Sequence, residues 1–255
     1  MISGQERGDN SAPEDPELAD LYARPFTAHE PNRRSVPFVF ASPHSGCLYP
    51  RSLLNLSCLS AITLRRSEDA YVDDLFGGVV SLGAPLLAAR FPRAYLDANR
   101  APGELDVSMF DGPLKLPVEQ ASPRVSAGLG VIPRIVRDGA EIYRVKLQPR
   151  DAEERLSRLH RRYHAALALL LRETRARFGA AVVIDCHSMP SAASAPDIVL
   201  GDRYGTAASH VLLRHAEQCL QAKGFSVGRN VPYAGATRPI STVSPAGAFT
   251  RFKSR

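Results

Sequence analysis

The run AAVVIDCHSMP at residues 180–190 constrains this chain more than any other stretch. Small and β-branched apolar residues lead into Asp185, Cys186, His187 and Ser188, and Pro190 then stops the run. A short apolar run bounded by a breaker reads as a buried strand. A strand that ends in reactive side chains points to a sheet with chemistry at one rim.

The same pattern recurs along the chain. VPFVFAS (36–42), DIVLG (197–201) and FSVG (225–228) read as further strands, and APLLAARFPRAYLDANR (84–100) as one or two short strands with a polar far end. DAYVDDLFGGVVSLG (69–83) has helical apolar spacing followed by a glycine turn. Residues 151–179 form the clearest helix, with Asp151 as the expected cap and Gly179 at its end. A further helix is expected around 205–223. Strands that alternate with helices predict an α/β fold whose sheet is largely parallel. Ligands in such folds gather at the carboxyl ends of the strands. Residues 101–140 carry Pro102, Pro113, Pro117, Pro123 and Pro133 and read as a long loop of the kind that forms lids.

The first 35 residues begin acidic and rich in Pro, Ser and Gly, and read as a disordered or loosely packed lead-in. They have neither the cationic nor the apolar segment of a secretory signal. No run approaches the ~18 apolar residues of a membrane helix. A cytoplasmic chain without a membrane partner is expected. Cys47, Cys58, Cys186 and Cys219 are scattered, which fits reduced thiols. The net charge of +6 comes mostly from arginines spread along the chain. Without a basic block this argues against a nucleic-acid partner, and the excess can instead steer small anions into a cleft.

His44, in SPHSG (42–46), follows one strand, and His187 stands at the end of another. Both imidazoles then reach one rim of the sheet. Imidazole is a common zinc ligand, and a catalytic zinc site takes three protein ligands plus an open position. Glu68 or Asp69 in SEDAYVDD could supply the carboxylate, and Asp185 or Ser188 could orient an imidazole. The alternative for each histidine is an ordinary hydrogen-bonded residue. Cys186 as a nucleophile is a rival reading, but neighbours on a strand point to opposite faces, so a buried filler fits it better. His160 and His164 stand at i and i+4 among arginines, without the Glu of a zinc-protease helix, and read as a solvated face. His210 and His215 read as helix surface. Asn99 and Arg100, with Arg93 nearby, could grip a carboxylate. The competing reading pairs these arginines with Asp97. GLGVIPR (128–134) is at most a weak phosphate loop.

Seven segments in order, SPHSG, SEDAYVDDLF, FPRAYLDANR, GLGVIPR, EIYR, IDCHSMPS and NVPYAG, resemble the N-formylglutamate amidohydrolase family over residues 36–235. The resemblance implies a three-layer α/β/α fold with a mixed, largely parallel sheet, like the zinc carboxypeptidases and aspartoacylase. It implies a metal-dependent hydrolase that removes a formyl or other small acyl group from a small anionic N-acyl amino acid, with a place in histidine catabolism. His44, Asp69 and His187 are then the metal ligands, with Glu68 as the fallback for Asp69. One Zn2+ per chain is implied, with other divalent metals open. Asn99 and Arg100 become the substrate clamp, and Arg93 a catalytic helper at the scissile carbonyl.

The chain departs from that family after residue 235. The family pattern continues with a strand bearing a glutamate that looks like the general base. Here ATRPISTVSPAGAFTRFKSR (236–255) holds four positive charges and no acidic residue. It reads as an irregular tail of truncated or frameshifted type, with weak activity as the expected consequence. The alternative function is an inactive homologue that keeps the metal or carboxylate site.

Overall fold

The computed structural model describes residues 15–119, 122–136, 139–191, 194–231 and 234, and the backbone of 247–253. The beginning of the expected lead-in, parts of the NVPYAG segment and most of the 236–255 tail lie outside the described residues. In chain order the helices are α1 (Pro16–Ala23), α2 (Arg51–Leu56), α3 (Ala61–Leu64), α4 (Val72–Phe76), α5 (Pro123–Ser126), α6 (Pro149–Arg155), α7 (Arg161–Phe178) and α8 (His210–Gln221). The strands are β1 (Phe26–His29), β2 (Phe38–Ser42), β3 (Leu86–Ala89), β4 (Val182–Met189), β5 (Ile198–Gly201), β6 (Val227–Arg229) and β7 (Gly247–Lys253).

All seven strands join one sheet in the order β1-β3-β2-β4-β7-β5-β6. β2 runs parallel to β3 and β4, β4 parallel to β7, and β5 parallel to β6. β1 and β5 pair antiparallel with β3 and β7. The sheet is therefore mixed and largely parallel. Alternation along β2 shows the layers. Val39 and Ala41 belong to the core cluster that includes Leu167, Leu170 and Leu171 of α7. Phe40 points the other way, its ring 5.8 Å from Phe76 of α4. Helices cover both faces, as buried parallel strands require.

Two expectations from sequence are corrected. Residues 247–253, expected within an irregular tail, form β7 between β4 and β5. Its pairing runs from Val183↔Gly247 to Met189↔Lys253, alongside nearly the whole of β4. Backbone hydrogen bonding to two neighbouring strands decides this state, and no side-chain periodicity announces it.

The lead-in is likewise ordered from residue 15. Asp15 caps α1 by accepting from Leu18 N at 3.0 Å, and Pro16 supplies the first helical position. Leu21 is fully buried, and Arg90 ties Asp20 to the end of β3 at 2.6 Å. The polar start of the chain masked this short apolar stripe.

α6 and α7 make one continuous helical rod through a π turn at Leu156–His160. Its cap is Gln148 rather than Asp151. Asp151 sits at the third helical position and accepts from Gln148 N at 3.1 Å, because Pro149 starts the helix earlier. Gly179 closes the rod with φ +76°, a left-handed conformation in which glycine pays no side-chain penalty. Among the described residues, no helix is long and apolar enough to cross a membrane.

Asp15 also accepts from Ser52 N at 2.7 Å and Arg51 N at 3.2 Å, so one carboxylate joins α1 to α2. Partial burial opposes its charge, but the Ser52, Leu18 and Arg51 N–H groups outweigh this and hold its pKa below the ordinary value. A depressed carboxyl pKa stabilises the fold above the ordinary aspartate range and stops doing so as pH falls through the folded value. Asp15→Ala is expected to cost about 1 kcal/mol in urea unfolding at neutral pH, and less in acid.

Candidate metal centre

β2 and β4 lie side by side and parallel, with Ala41 opposite Asp185, so their carboxyl ends open on the same edge. His44 follows β2 by two residues, while His187 sits inside β4 rather than beyond it. The turn that carries His44 presses against the end of β3. A Cβ on Gly46 would lie 2.3 Å from Phe91 O, so only glycine lets the two backbones approach this closely. Asp69 N donates to His44 O at 3.0 Å, which brings the next segment to the same place.

The result is a buried cluster in which the ligand atoms of His44, Asp69 and His187 lie within 4.8 Å of one another. The imidazole centroids are 4.8 Å apart. Both rings turn Nδ1 toward Asp69 Oδ2, at 3.3 Å for His44 and 2.7 Å for His187. Each Nε2 faces a carboxylate on its far side. His44 Nε2 lies 2.8 Å from Asp97 Oδ1, and His187 Nε2 lies 2.9 Å from Asp185 Oδ2. Asp185 and His187 are two apart on one strand and so share a face. Ser188, weighed as a partner for an imidazole, instead donates to Asp69 Oδ1 at 3.2 Å.

This donor set fits a divalent cation. An outer carboxylate that takes the Nε2 proton fixes the tautomer and leaves the Nδ1 lone pair for a metal. Two imidazoles and one carboxylate oxygen suit zinc among the common ions. The electrostatics agree. Burial opposes charge on His187, yet Asp185 and Asp69 hold its pKa up to about 9. Burial also opposes the charge of Asp69, and hydrogen bonds from His187 and His44 overcome it and keep the carboxyl ionised. Both shifts show that positive charge is favoured beside these carboxylates.

Glu68 stands outside the cluster. Its side chain turns to Tyr49 Oη at 2.7 Å and Arg65 Nη2 at 3.2 Å. Cys186 is fully buried, and burial pushes its thiol well above the ordinary value.

The YLDANR segment wraps the outside of the cluster. Asp97, 2% exposed, accepts from Arg93 Nε at 3.0 Å and Asn99 N at 2.9 Å besides facing His44. Burial works against its charge, but Arg93 and His44 hold its pKa well below the ordinary range. Asn99 donates to Asp185 Oδ2 at 2.7 Å and lies 2.8 Å from His187 Nε2. Arg100 Nε donates to Leu129 O at 3.1 Å and lies 3.8 Å from Asp97 Oδ2. The three residues expected at a substrate carboxylate therefore gather beside the cluster, and the Arg–Asp97 pairing exists at the same time. GLGVIPR serves this segment through backbone: Asp97 N donates to Val131 O at 2.8 Å, in addition to the Leu129 contact.

Sequence reasoning missed the role of Asp97 toward His44, although its place in an R-x-x-x-D-x-N-R run was the available signal. It also misplaced His160 and His164. They do not form a solvated face: His160 is 6% exposed and lies 3.0 Å from Arg100 O, and His164 Nε2 lies 2.8 Å from Ala98 O. The rod packs this side against YLDANR, while His210 and His215 are exposed as expected.

A sequence profile of the N-formylglutamate amidohydrolase family matches residues 36–249. N-formylglutamate deformylase of Pseudomonas aeruginosa is 28% identical over 213 residues, spanning 80% of this chain and 73% of that protein. The Pseudomonas putida deformylase is 26% identical over 209 residues, spanning 78% and 72%. The solved N-formylglutamate amidohydrolase from Ralstonia eutropha superposes with a TM-score of 0.82 at 33% identity, covering 90% of this chain and 86% of that one. A gene product of Agrobacterium tumefaciens, at 16% identity and a TM-score of 0.66, covers 92% and 85% and shares the fold.

Burial and the neighbouring His164 together pull His160 down to about 4, against the pull of the Arg100 carbonyl. The unfolded chain then binds the extra proton between the ordinary histidine pKa and the folded one. Stability is full above about pH 6.5 and falls as pH drops toward 4, by on the order of 3 kcal/mol. Urea titrations at stepped pH should show this slope in the wild type and a flatter one in His160→Gln.

Proposed function

The chain belongs to the N-formylglutamate amidohydrolase family, and from that membership we propose that it hydrolyses the amide of N-formyl-L-glutamate or a related N-acyl amino acid with the help of one divalent ion, Zn2+ in the first instance. Formate or another small acid and the free amino acid are the products. The observation that carries this reading is the convergence of His44, Asp69 and His187, with Asp97 and Asp185 behind the two imidazoles.

His44, Asp69 and His187 would hold the ion, which would supply Lewis acidity at the acyl carbonyl and make water acidic enough to act as a nucleophile near neutral pH. The chain's own groups do the rest. Asp97 and Asp185 keep both imidazoles oriented, and Asn99 ties Asp185 to the segment that carries the arginines. Arg93 and Arg100 both pair with Asp97, so two guanidinium groups stand beside the cluster where a substrate carboxylate would approach. A guanidinium can meet that group with paired hydrogen bonds. This supports a dicarboxylic acyl amino acid over a neutral one. In this reading Arg93 lies toward the scissile carbonyl, and Asn99 and Arg100 hold the carboxylate.

The proton for the leaving amine is the weak step. Among the described residues, the carboxylates that touch the imidazoles are Asp69, Asp97 and Asp185, and each is already engaged. Proton transfer is typically worth 10²–10⁴-fold, so turnover below that of a relative with a free carboxylate is part of the proposal. The same observation favours a second reading, a non-catalytic homologue that binds the metal or the anion.

Formate release from N-formylglutamate, measured with and without added zinc, separates the two. We expect release that depends on zinc and is lost in His187→Ala. Bound zinc with no release would favour the second reading, and the absence of zinc binding would remove the hydrolase reading and leave only the anion-binding form of the second. Asp97→Asn should weaken zinc by about 10–100-fold in a competition titration, as for other residues that orient a ligand. Asp69→Asn should weaken it more, and Glu68→Gln should leave it unchanged.

A further inference from the structure

The face of the α6–α7 rod that meets the metal centre carries donors aimed at a single segment. Arg155 Nη1 donates to Tyr95 O at 3.2 Å, and its guanidinium lies 3.8 Å from the centre of the Tyr95 ring. His160 Nε2 lies 3.0 Å from Arg100 O, and His164 Nε2 lies 2.8 Å from Ala98 O. A backbone carbonyl only accepts, so each imidazole must carry its proton on Nε2. Among the described residues the pair gathers no third His, Cys, Asp or Glu into a metal-sized group.

The two carbonyls are those immediately before and after the Asn99–Arg100 pair. The geometry points to a positioning role: we infer that His160 and His164 clamp the main chain on both sides of Asn99 and Arg100 and so set the register of those side chains against the metal centre. The inference rests on the proposed reading of Asn99 and Arg100 as the substrate clamp.

The surroundings support it. The imidazoles lie against each other with centroids 4.4 Å apart and planes tilted by 43°, so each limits the freedom of the other. The π turn at Leu156–His160 ends on the first of them, with Arg161 N donating back to Leu156 O. Widened turns inside α-helices recur at functional sites. The clamped segment has no regular secondary structure between Phe91 and Asp106, so its shape depends on such tertiary bonds. Asn99 converts that shape into chemistry, because its side chain donates to Asp185, the carboxylate behind His187. A shift of the main chain would carry Asn99 away from Asp185 and turn Arg100 off its place. His160 and His164 touch none of the metal ligands, so they are positioning residues.

The test compares His160→Leu and His164→Leu with His160→Gln and His164→Gln in the full chain. Leucine keeps bulk and loses the donor, whereas glutamine places an amide N–H near the Nε2 position. Two readouts are taken: the KM and kcat for N-formylglutamate with zinc present, and amide hydrogen exchange over residues 95–104. The leucine variants should raise KM about tenfold, the scale of one lost buried hydrogen bond, and change kcat less. They should also speed exchange in 95–104, with zinc content unchanged. The glutamine variants should recover most of both effects. Wild-type KM and exchange in the leucine variants would overturn the inference. So would equal impairment in the leucine and glutamine variants, which would mean that ring packing matters and the donor does not. If the wild type neither binds nor hydrolyses N-formylglutamate, the proposed function fails, and the exchange comparison still decides whether these histidines hold the segment.

Discussion

Asp97 is a charged group held almost entirely out of water, and the centre is arranged around the need to balance it. A lone buried carboxylate would cost several kcal/mol. This one meets His44 from the β2 turn, Arg93 from the β3 turn and the backbone N–H of Asn99. The first contact joins two separate pieces of chain, and the other two fix the turn that carries Asp97. Together they also explain why His44 keeps its Nε2 directed outward and its Nδ1 directed at Asp69. Loss of the Asp97 charge would leave the arginine and the imidazole facing each other across a buried gap. The same contact therefore serves folding and ligand geometry together.

The sheet supplies the frame in which those contacts occur. β2 and β4 are parallel neighbours, so the residues at their carboxyl ends arrive at the same edge without any special device. A doubly covered sheet places ligands at that edge for the same reason. β7 extends the frame by pairing along β4 through the His187 position, which gives that strand a neighbour on each side. A strand bonded on both sides is a firmer base for a ligand than an edge strand would be. The helical rod completes the arrangement on one face by holding the YLDANR main chain from outside.

Much of this is legible along the chain, and the exceptions have physical reasons. β2, β4, β5 and the long rod show themselves through apolar periodicity, because each buries a face or a stripe. His44, Asp69 and His187 show themselves through polar residues placed against strand ends and in a neighbouring motif. His160 and His164 do not, since arginines beside them suggest water while tertiary packing turns that side inward. The short stripe of α1 is hidden in the same way by the polar residues before it. β7 is hidden because pairing with two neighbours can hold almost any extended backbone in a sheet.

The sequence by itself determined the layer architecture, the identities of the two histidines and the family to which they belong. Those follow from local pattern and from residue types, which are properties of the linear chain. Tertiary structure alone decided that Asp69 and not Glu68 joins the cluster, that Asp97 serves His44 as well as Arg93, and that the two rod histidines grip carbonyls. Each of these is a choice between near-equivalent neighbours, and it is settled by which direction a side chain faces once the backbone is packed. Direction is set by contacts between residues far apart in sequence: 53 positions separate His44 from Asp97, and 66 separate His164 from Ala98.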